Sequence, residues 1–153
     1  MIPQLNRLSS EEQEFMLKAP ILVAILIAGA DGTIDRSEIK EAMAQARKKQ
    51  NSSDGLTDLY REIGEDFEDK LKIVLGSYPT EVTQRNAVIV VELMKLNSIL
   101  PKIDSAFASN FYKSLRDLAM KIAKSSGGLL GMNAVGAAEA MYVNLPMIKE
   151  PAH

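Results

Sequence analysis

A chain of 153 residues with a formal net charge of −2 has no overall positive field to draw it to nucleic acid or to an anionic membrane. It has no cysteine, and its one histidine is the last residue, His153, which excludes disulfides, catalytic triads and zinc sites built on Cys or His. The longest apolar stretch, Ala19 to Ala30, is shorter than the roughly 20 residues of a membrane-spanning helix. We therefore expect one cytoplasmic domain over residues 1–153, without nucleic-acid partners or direct membrane insertion.

The N-terminal part of the chain predicts two helices that meet at Pro20. Pro20 is expected to stop or redirect the first helix and to open the second. Residues 20–30 are apolar on all sides, which predicts a buried central helix. Two serines are candidate N-caps of the first helix, each with a capping-box partner three residues later: Ser9 with Glu12, and Ser10 with Gln13.

The middle of the chain predicts a polar helix and then an amphipathic one. The polar helix starts at Asp35 and runs to about Lys49, before a loop at residues 51–55. The amphipathic helix extends to Leu75, and Gly64 is expected to weaken but not to break it. Its apolar positions recur at spacings of three and four: Leu56, Leu59, Tyr60, Ile63, Phe67, Leu71 and Val74.

The remaining part of the chain predicts three more helices. Thr80 is expected to cap a helix from Glu81 to about Ser98, which carries the apolar run 87–91 and is another candidate core element. A last helix is predicted from Asn133 through Asn144. Between them, Pro101 precedes an amphipathic helix at about 104–124, which ends at a breaker at 125–128. This helix has one apolar face: Phe107, Phe111, Leu115, Leu118 and Ile122. About seven helices and no convincing strand predict an all-α, single-domain bundle.

A weak internal repeat relates residues 23–43 to residues 118–141 through short matching runs such as Glu-Ala-Met. In the second copy, Ser126, Asn133 and Gly136 stand at the positions of three carboxylates of the first copy. Any cation chemistry is therefore confined to the first copy.

An acidic turn, Asp31-Gly32-Thr33-Ile34-Asp35-x-x-Glu38, copies positions 5 to 12 of a calcium EF-hand loop. Positions 1 and 3 of that loop would be Ile27 and Gly29, which offer no side-chain oxygen, so we exclude a calcium sensor of ordinary affinity. The remaining oxygens predict a weak divalent-cation site at Asp31, Asp35 and Glu38, for calcium, magnesium, manganese or zinc.

The same turn also has a purely structural interpretation. Gly32 allows a tight turn, Ile34 pins it to the core, and Asp35 with Glu38 caps the next helix, where the dipole favours negative charge. The two interpretations are compatible, because a capping carboxylate can also lend an oxygen to a cation. Two other charged groups are expected to be solvated helix faces: the acidic run Glu62, Glu65, Asp66, Glu68 and Asp69, and the basic stripe Lys113, Arg116, Lys121 and Lys124.

Two segments carry a family resemblance. The apolar helix Ile21 to Ala28, followed by Gly29-Ala30-Asp31-Gly32-Thr33-Ile34-Asp35 and Glu38, resembles the first signature of the tellurite-resistance TerB-like family. Residues 123–131, Ala-Lys-Ser-Ser-Gly-Gly-Leu-Leu-Gly, are similar to the Gly-rich second signature of some members. The resemblance implies an all-helical bundle with internal pseudo-symmetry, linked to tellurite resistance and related stress systems. It also implies that the acidic residues of the first signature are candidate metal ligands, in a family with no established catalytic activity.

These patterns support three hypotheses of function. The first is a non-enzymatic module that binds a divalent cation weakly and docks a protein partner, with a homo-oligomer left open. The second is a metal-dependent hydrolase that uses the carboxylates to hold a metal-bound water. The third is a bundle that holds an apolar ligand between its Met- and Ala-rich helices.

Overall fold

The computed structural model describes residues 3–29, 39–41, 43–44, 56–127 and 142–151. In these ranges all the regular structure is helical, which confirms the all-α fold class. The number of helices in the whole chain and the internal repeat stay predictions, because Asn133 and Gly136 lie outside the described residues. None of the described helices combines the length and the apolar character that a membrane span requires.

The central helix, α1, runs from Ser10 to Ala28. It begins with a capping box: the Ser9 hydroxyl accepts a hydrogen bond from the Glu12 backbone N–H (3.1 Å), and the Glu12 carboxylate accepts one from the Ser9 N–H (3.0 Å). This confirms Ser9 with Glu12 as the cap, rather than Ser10 with Gln13. A 3₁₀ turn at Pro3–Leu5 precedes α1.

Pro20 lies inside α1, so the prediction that it stops or redirects the helix is wrong. A proline there leaves the Met16 carbonyl without its usual helical N–H donor, at a cost of about 3 kcal/mol. However, every residue from Ala19 to Ala28 is buried. Each large apolar side chain stabilises the fold by about 1.5–3 kcal/mol on burial, which together outweighs the single lost bond. The prediction of a buried central helix is confirmed.

The amphipathic segment that follows is two helices, α2 (Leu56–Gly64) and α3 (Phe67–Gly76), where one continuous helix was predicted. The break comes directly after Gly64, and Asp66 adopts a left-handed backbone conformation with φ of 51°. Glycine holds a helix poorly, and aspartate is among the few residues that enter the left-handed region at moderate cost. All seven apolar positions predicted for this segment are nevertheless buried.

Helix α4 runs from Val82 to Leu93, and a single turn, α5 (Leu96–Ile99), continues into a 3₁₀ turn at Leu100–Lys102. The N-cap of α4 is Glu81, not the predicted Thr80. The Glu81 carboxylate accepts hydrogen bonds from the backbone N–H groups of Thr83 (2.6 Å) and Gln84 (3.2 Å). The helix contributes one face to the core, through Ile89 and Leu93, and within the apolar run 87–91 only Ile89 is fully buried. Consecutive helical residues point about 100° apart, so α4, packed on one side against α1, cannot bury five in a row.

The longest helix, α6, extends from Ser105 to Gly127, beyond the breaker predicted from residue 125. The Asp104 carboxylate caps it by accepting a bond from the Phe107 N–H (3.0 Å). The predicted apolar face is confirmed, because all five of its residues are buried. Helix α6 packs along α1 and also meets α2, so α1 is enclosed by α2, α3, α4 and α6.

The C-terminal residues 142–151 return to the bundle without regular structure. Tyr142 to Asn144 form a turn, so the predicted end of the last helix at Asn144 is wrong, while its residues 133–141 lie outside the described residues. Leu145 has a positive φ of 50°. Val143, Leu145 and Ile148 are buried, so this segment completes the core at the α5 end of the bundle.

Candidate functional site

The predicted cation ligands Asp31, Asp35 and Glu38 lie outside the described residues, but the structure describes both ends of the segment that carries them. On one side α1 ends at Gly29, whose N–H donates to the Ile25 carbonyl (2.8 Å). On the other side Ile39 is helical and fully buried. The described residues that follow are also helical, in agreement with the helix predicted to start at Asp35. The acidic turn therefore joins two elements of the core.

The C-terminal end of α1 favours positive charge. Aligned peptide dipoles give a helix roughly half a negative charge at its C-terminus, and burial limits the screening of that charge by water. The last turn of α1 contains no basic residue, and Ile27, Ala28 and Gly29 are all buried. Compensation must therefore come from another part of the structure.

Arg85 of α4 supplies part of this compensation. Its side chain is 7 % exposed, and its Nη2 donates a hydrogen bond to the Gly29 carbonyl over 3.0 Å. Asp31, the first carboxylate of the acidic turn, follows Gly29 by two residues in the chain and lies outside the described residues.

Sequence reasoning missed Arg85. The signal was its register: Arg85 precedes the buried Ile89 by one helical turn, so it shares the packed face of α4. Asn86 is likewise 5 % exposed. Within the described part of the chain, Arg85 Nε, Asn86 Oδ1 and the buried Tyr78 hydroxyl have no hydrogen-bond partner. Arg85 and Asn86 of α4 thus bring buried polar atoms into a mainly apolar core.

The other charged residues are mostly exposed, as predicted for solvated helix faces, but Lys121 is an exception, because its side chain is only 19 % exposed. All five members of the acidic run at 62–69 are exposed. In the basic stripe, Arg116 bonds to the Asn144 side chain (3.2 Å) and Lys121 lies 3.6 Å from the Asp117 carboxylate. Among the described residues, no group of three or more acidic or histidine side chains could hold a metal ion.

These features define a class of protein: an all-helical bundle around a buried central helix whose C-terminal end is held by an arginine. No protein-family model matches the chain, and no solved structure matches it. The uncharacterized protein ORF11' of Methanothermobacter thermautotrophicus is 33 % identical to it over 122 residues, which cover 79 % of this chain and 78 % of that protein. The chain belongs to the same family as ORF11'.

Proposed function

We propose that this protein is a non-enzymatic helical module of the tellurite-resistance, stress-response type. It binds a divalent cation weakly at Asp31, Asp35 and Glu38, and it docks a protein partner in the cytoplasm. The observation that supports the cation site most directly is the buried C-terminal end of α1, which has no basic residue of its own and precedes the acidic turn by two residues.

Charge balance favours a divalent ion at this position. The carboxylates of Asp31, Asp35 and Glu38 bring three negative charges, and Arg85 brings one positive charge to the same region. The remaining two negative charges match one divalent cation. With one oxygen from each aspartate, the Thr33 carbonyl and at most two oxygens from Glu38, the turn supplies fewer than the 6–8 oxygens that calcium prefers, so water must complete its shell and the affinity is expected to be low.

Calorimetric titration of calcium, magnesium, manganese and zinc tests this site. We expect saturable binding of at least one ion with a Kd on the order of 10⁻⁴ M or weaker. Asp31→Asn removes one charged ligand and should weaken binding about tenfold or more, a loss of about 1.4 kcal/mol.

The matched control is Asp69→Asn, which removes the same charge from an exposed position on α3. It should leave the affinity within about twofold of the wild type, because screening limits its long-range effect. Absence of saturable heat with all four ions would contradict the proposal, as would equal affinities for the two variants.

An uncharged face of α4 supports the docking role. Val88, Val91 and Met94 recur every three residues along this face and are 38 %, 64 % and 50 % exposed. An exposed helix face normally carries charged residues, so an apolar stripe of this kind is typical of a surface that contacts another protein.

We propose a second copy of the chain as the occupant of this face. In an antiparallel pair with Val88 against the partner's Val91, Gln84 faces the partner's Lys95, and Glu81 lies about one helical turn from that lysine. Lys95, which also lies 3.6 Å from Glu92 of its own chain, then lies near the partner's Glu81 at each end of the stripe, and the helix dipoles run antiparallel. The contact is self-complementary, as two-fold symmetry requires.

A further inference from the structure

A cleft of about 380 Å³ lies between the C-terminal segment and the main bundle. Leu100, Pro101, Ile103 and Ala108 form an apolar floor where the 3₁₀ turn meets the start of α6. Lys149, Glu150 and Pro151 border the cleft from the C-terminal segment. Its size falls within the range of about 300–1,000 Å³ that is typical of small-molecule sites.

The residue that holds the two walls together is Asn97 of α5, which itself lines the cleft. Its Nδ2 donates to the Met147 carbonyl (3.1 Å), and its Oδ1 accepts from the Lys149 N–H (2.7 Å). The intervening Ile148 is buried in the core. The Asn97 side chain thus bonds to the backbone on both sides of the buried Ile148. These two bonds hold the C-terminal wall of the cleft against the bundle.

The chemistry of the lining indicates the class of ligand. The floor is apolar, while the border carries one ammonium group, on Lys149, and one carboxylate, on the adjacent Glu150. These opposite charges favour neither an anion nor a cation. The Ser105 hydroxyl, at the start of α6, offers one hydrogen bond to a polar substituent.

We propose that this cleft binds a small neutral molecule of two fused rings with a single hydrogen-bonding group. A dry apolar cavity of about 150 Å³ accommodates benzene, so a cleft of 380 Å³ has room for a bicyclic molecule. The site is distinct from the acidic turn, and it goes beyond the proposed cation and docking roles.

Indole is a suitable probe, because the chain has no tryptophan and indole fluorescence is therefore free of a protein indole background. We expect a saturable blue shift of indole emission with a Kd of about 1 mM or tighter. In isotope-labelled protein, the methyl signals of Leu100 and Ile103 should shift along the same titration. Charged analogues, indole-3-acetate and tryptamine, should bind more weakly than indole.

Ser105→Phe places a ring in the cleft and should abolish the blue shift. Ala106→Phe is the matched control: it adds the same ring at the next position, which is also exposed but does not line the cleft, and it should leave binding unchanged. Absence of saturable indole binding to the wild type overturns the proposal. It is also overturned if both variants lose indole binding equally and the methyl signals that shift are not those of Leu100 and Ile103. Tighter binding of either charged analogue overturns the assignment of a neutral ligand.

Discussion

Tyr60 shows how a single buried polar group is satisfied in this core. Its hydroxyl lies 2.9 Å from the Ser114 hydroxyl, and Ser114 in turn donates to the Phe111 carbonyl (2.7 Å). Because the Ser114 hydrogen is committed to that carbonyl, Tyr60 is the donor in the pair. Burial raises the pKa of Tyr60 far above its ordinary value of 10.0, and the negative charge of Asp117 raises it further.

The raised pKa predicts a loss of stability in alkaline solution. Below pH 10 Tyr60 is neutral in both states; above it, only the unfolded state ionises, so the free energy of unfolding falls as the pH rises. Ionisation of Tyr60 in the unfolded state should lower the free energy of unfolding by about 1.4 kcal/mol per pH unit above pH 10. Urea unfolding at a series of pH values from 7 to about 12 measures it.

The variant for this prediction is Tyr60→Phe. It should cost about 1 kcal/mol at pH 7, through the lost hydrogen bond, but should show a shallower alkaline slope than the wild type. Tyr142→Phe, at a partly exposed tyrosine, serves as the control and should keep the wild-type slope. Parallel slopes for Tyr60→Phe and the wild type would refute the role assigned to Tyr60.

At the scale of secondary structure elements, two residues that weaken helices have opposite outcomes. Pro20 is accommodated inside α1, whereas α2 ends at Gly64. The difference lies in the surroundings: every residue from Ala19 to Ala28 is buried, so continuing the helix through Pro20 keeps the apolar surface of these residues out of water. At the α2–α3 junction only one face is packed, and Glu65 and Asp66 are exposed, so little burial opposes the break.

The exposed face of α4 leads to a prediction about association. Sedimentation velocity over a range of concentrations should detect a weak dimer, with a Kd on the order of 10⁻⁴ M because the stripe is short. Val91→Glu places two like charges near the centre of the antiparallel contact and should keep the protein monomeric. Asn110→Glu adds the same charge at an exposed position on α6 and should leave the dimer intact.

A wild-type protein that stays monomeric up to about 1 mM would exclude a second copy as the occupant of the α4 face. If Val91→Glu and the wild type dimerise equally, the dimer interface lies elsewhere on the molecule. Either result leaves the cation site untouched, because α4 meets that region through Arg85, on its packed face.

For the whole molecule, α1 is the element on which the other helices depend. The contribution of α1 to stability can be measured by replacing valine with alanine at two positions. Val23 in α1 is fully buried, while Val91 in α4 is 64 % exposed. Val23→Ala removes two buried methyl groups and leaves a cavity, so it should lower the free energy of unfolding by about 2–3 kcal/mol. Val91→Ala should change it by about 0.5 kcal/mol or less.

Urea unfolding of the two valine variants at neutral pH provides the comparison. The midpoint for Val23→Ala should fall, while the slope of the transition stays that of the wild type. Similar losses at both positions would mean that α4 is covered in solution. In that case the loss at Val91 should depend on protein concentration, which ties this measurement to the dimer.

The candidate sites differ in how much of each could be inferred from sequence. The acidic turn is recognisable because its candidate ligands lie within eight residues of one another. Arg85 and Gly29 are 56 residues apart, and no local pattern pairs them. The cleft has the same limitation, since Asn97 and Lys149 come together only when the C-terminal segment packs on α5.

By itself, the sequence determined the all-α class, the burial of residues 20–28, the apolar faces of α2, α3 and α6, and a helix start capped by Ser9 or Ser10. Each depends on neighbours within about one to two helical turns, a range that composition and periodicity describe well. Only the tertiary structure decided that α1 continues through Pro20, that one side of α4 stays exposed, and that Tyr60 donates to Ser114. Those outcomes depend on how much surface each element buries against partners that are distant in the chain, and local periodicity does not contain that information.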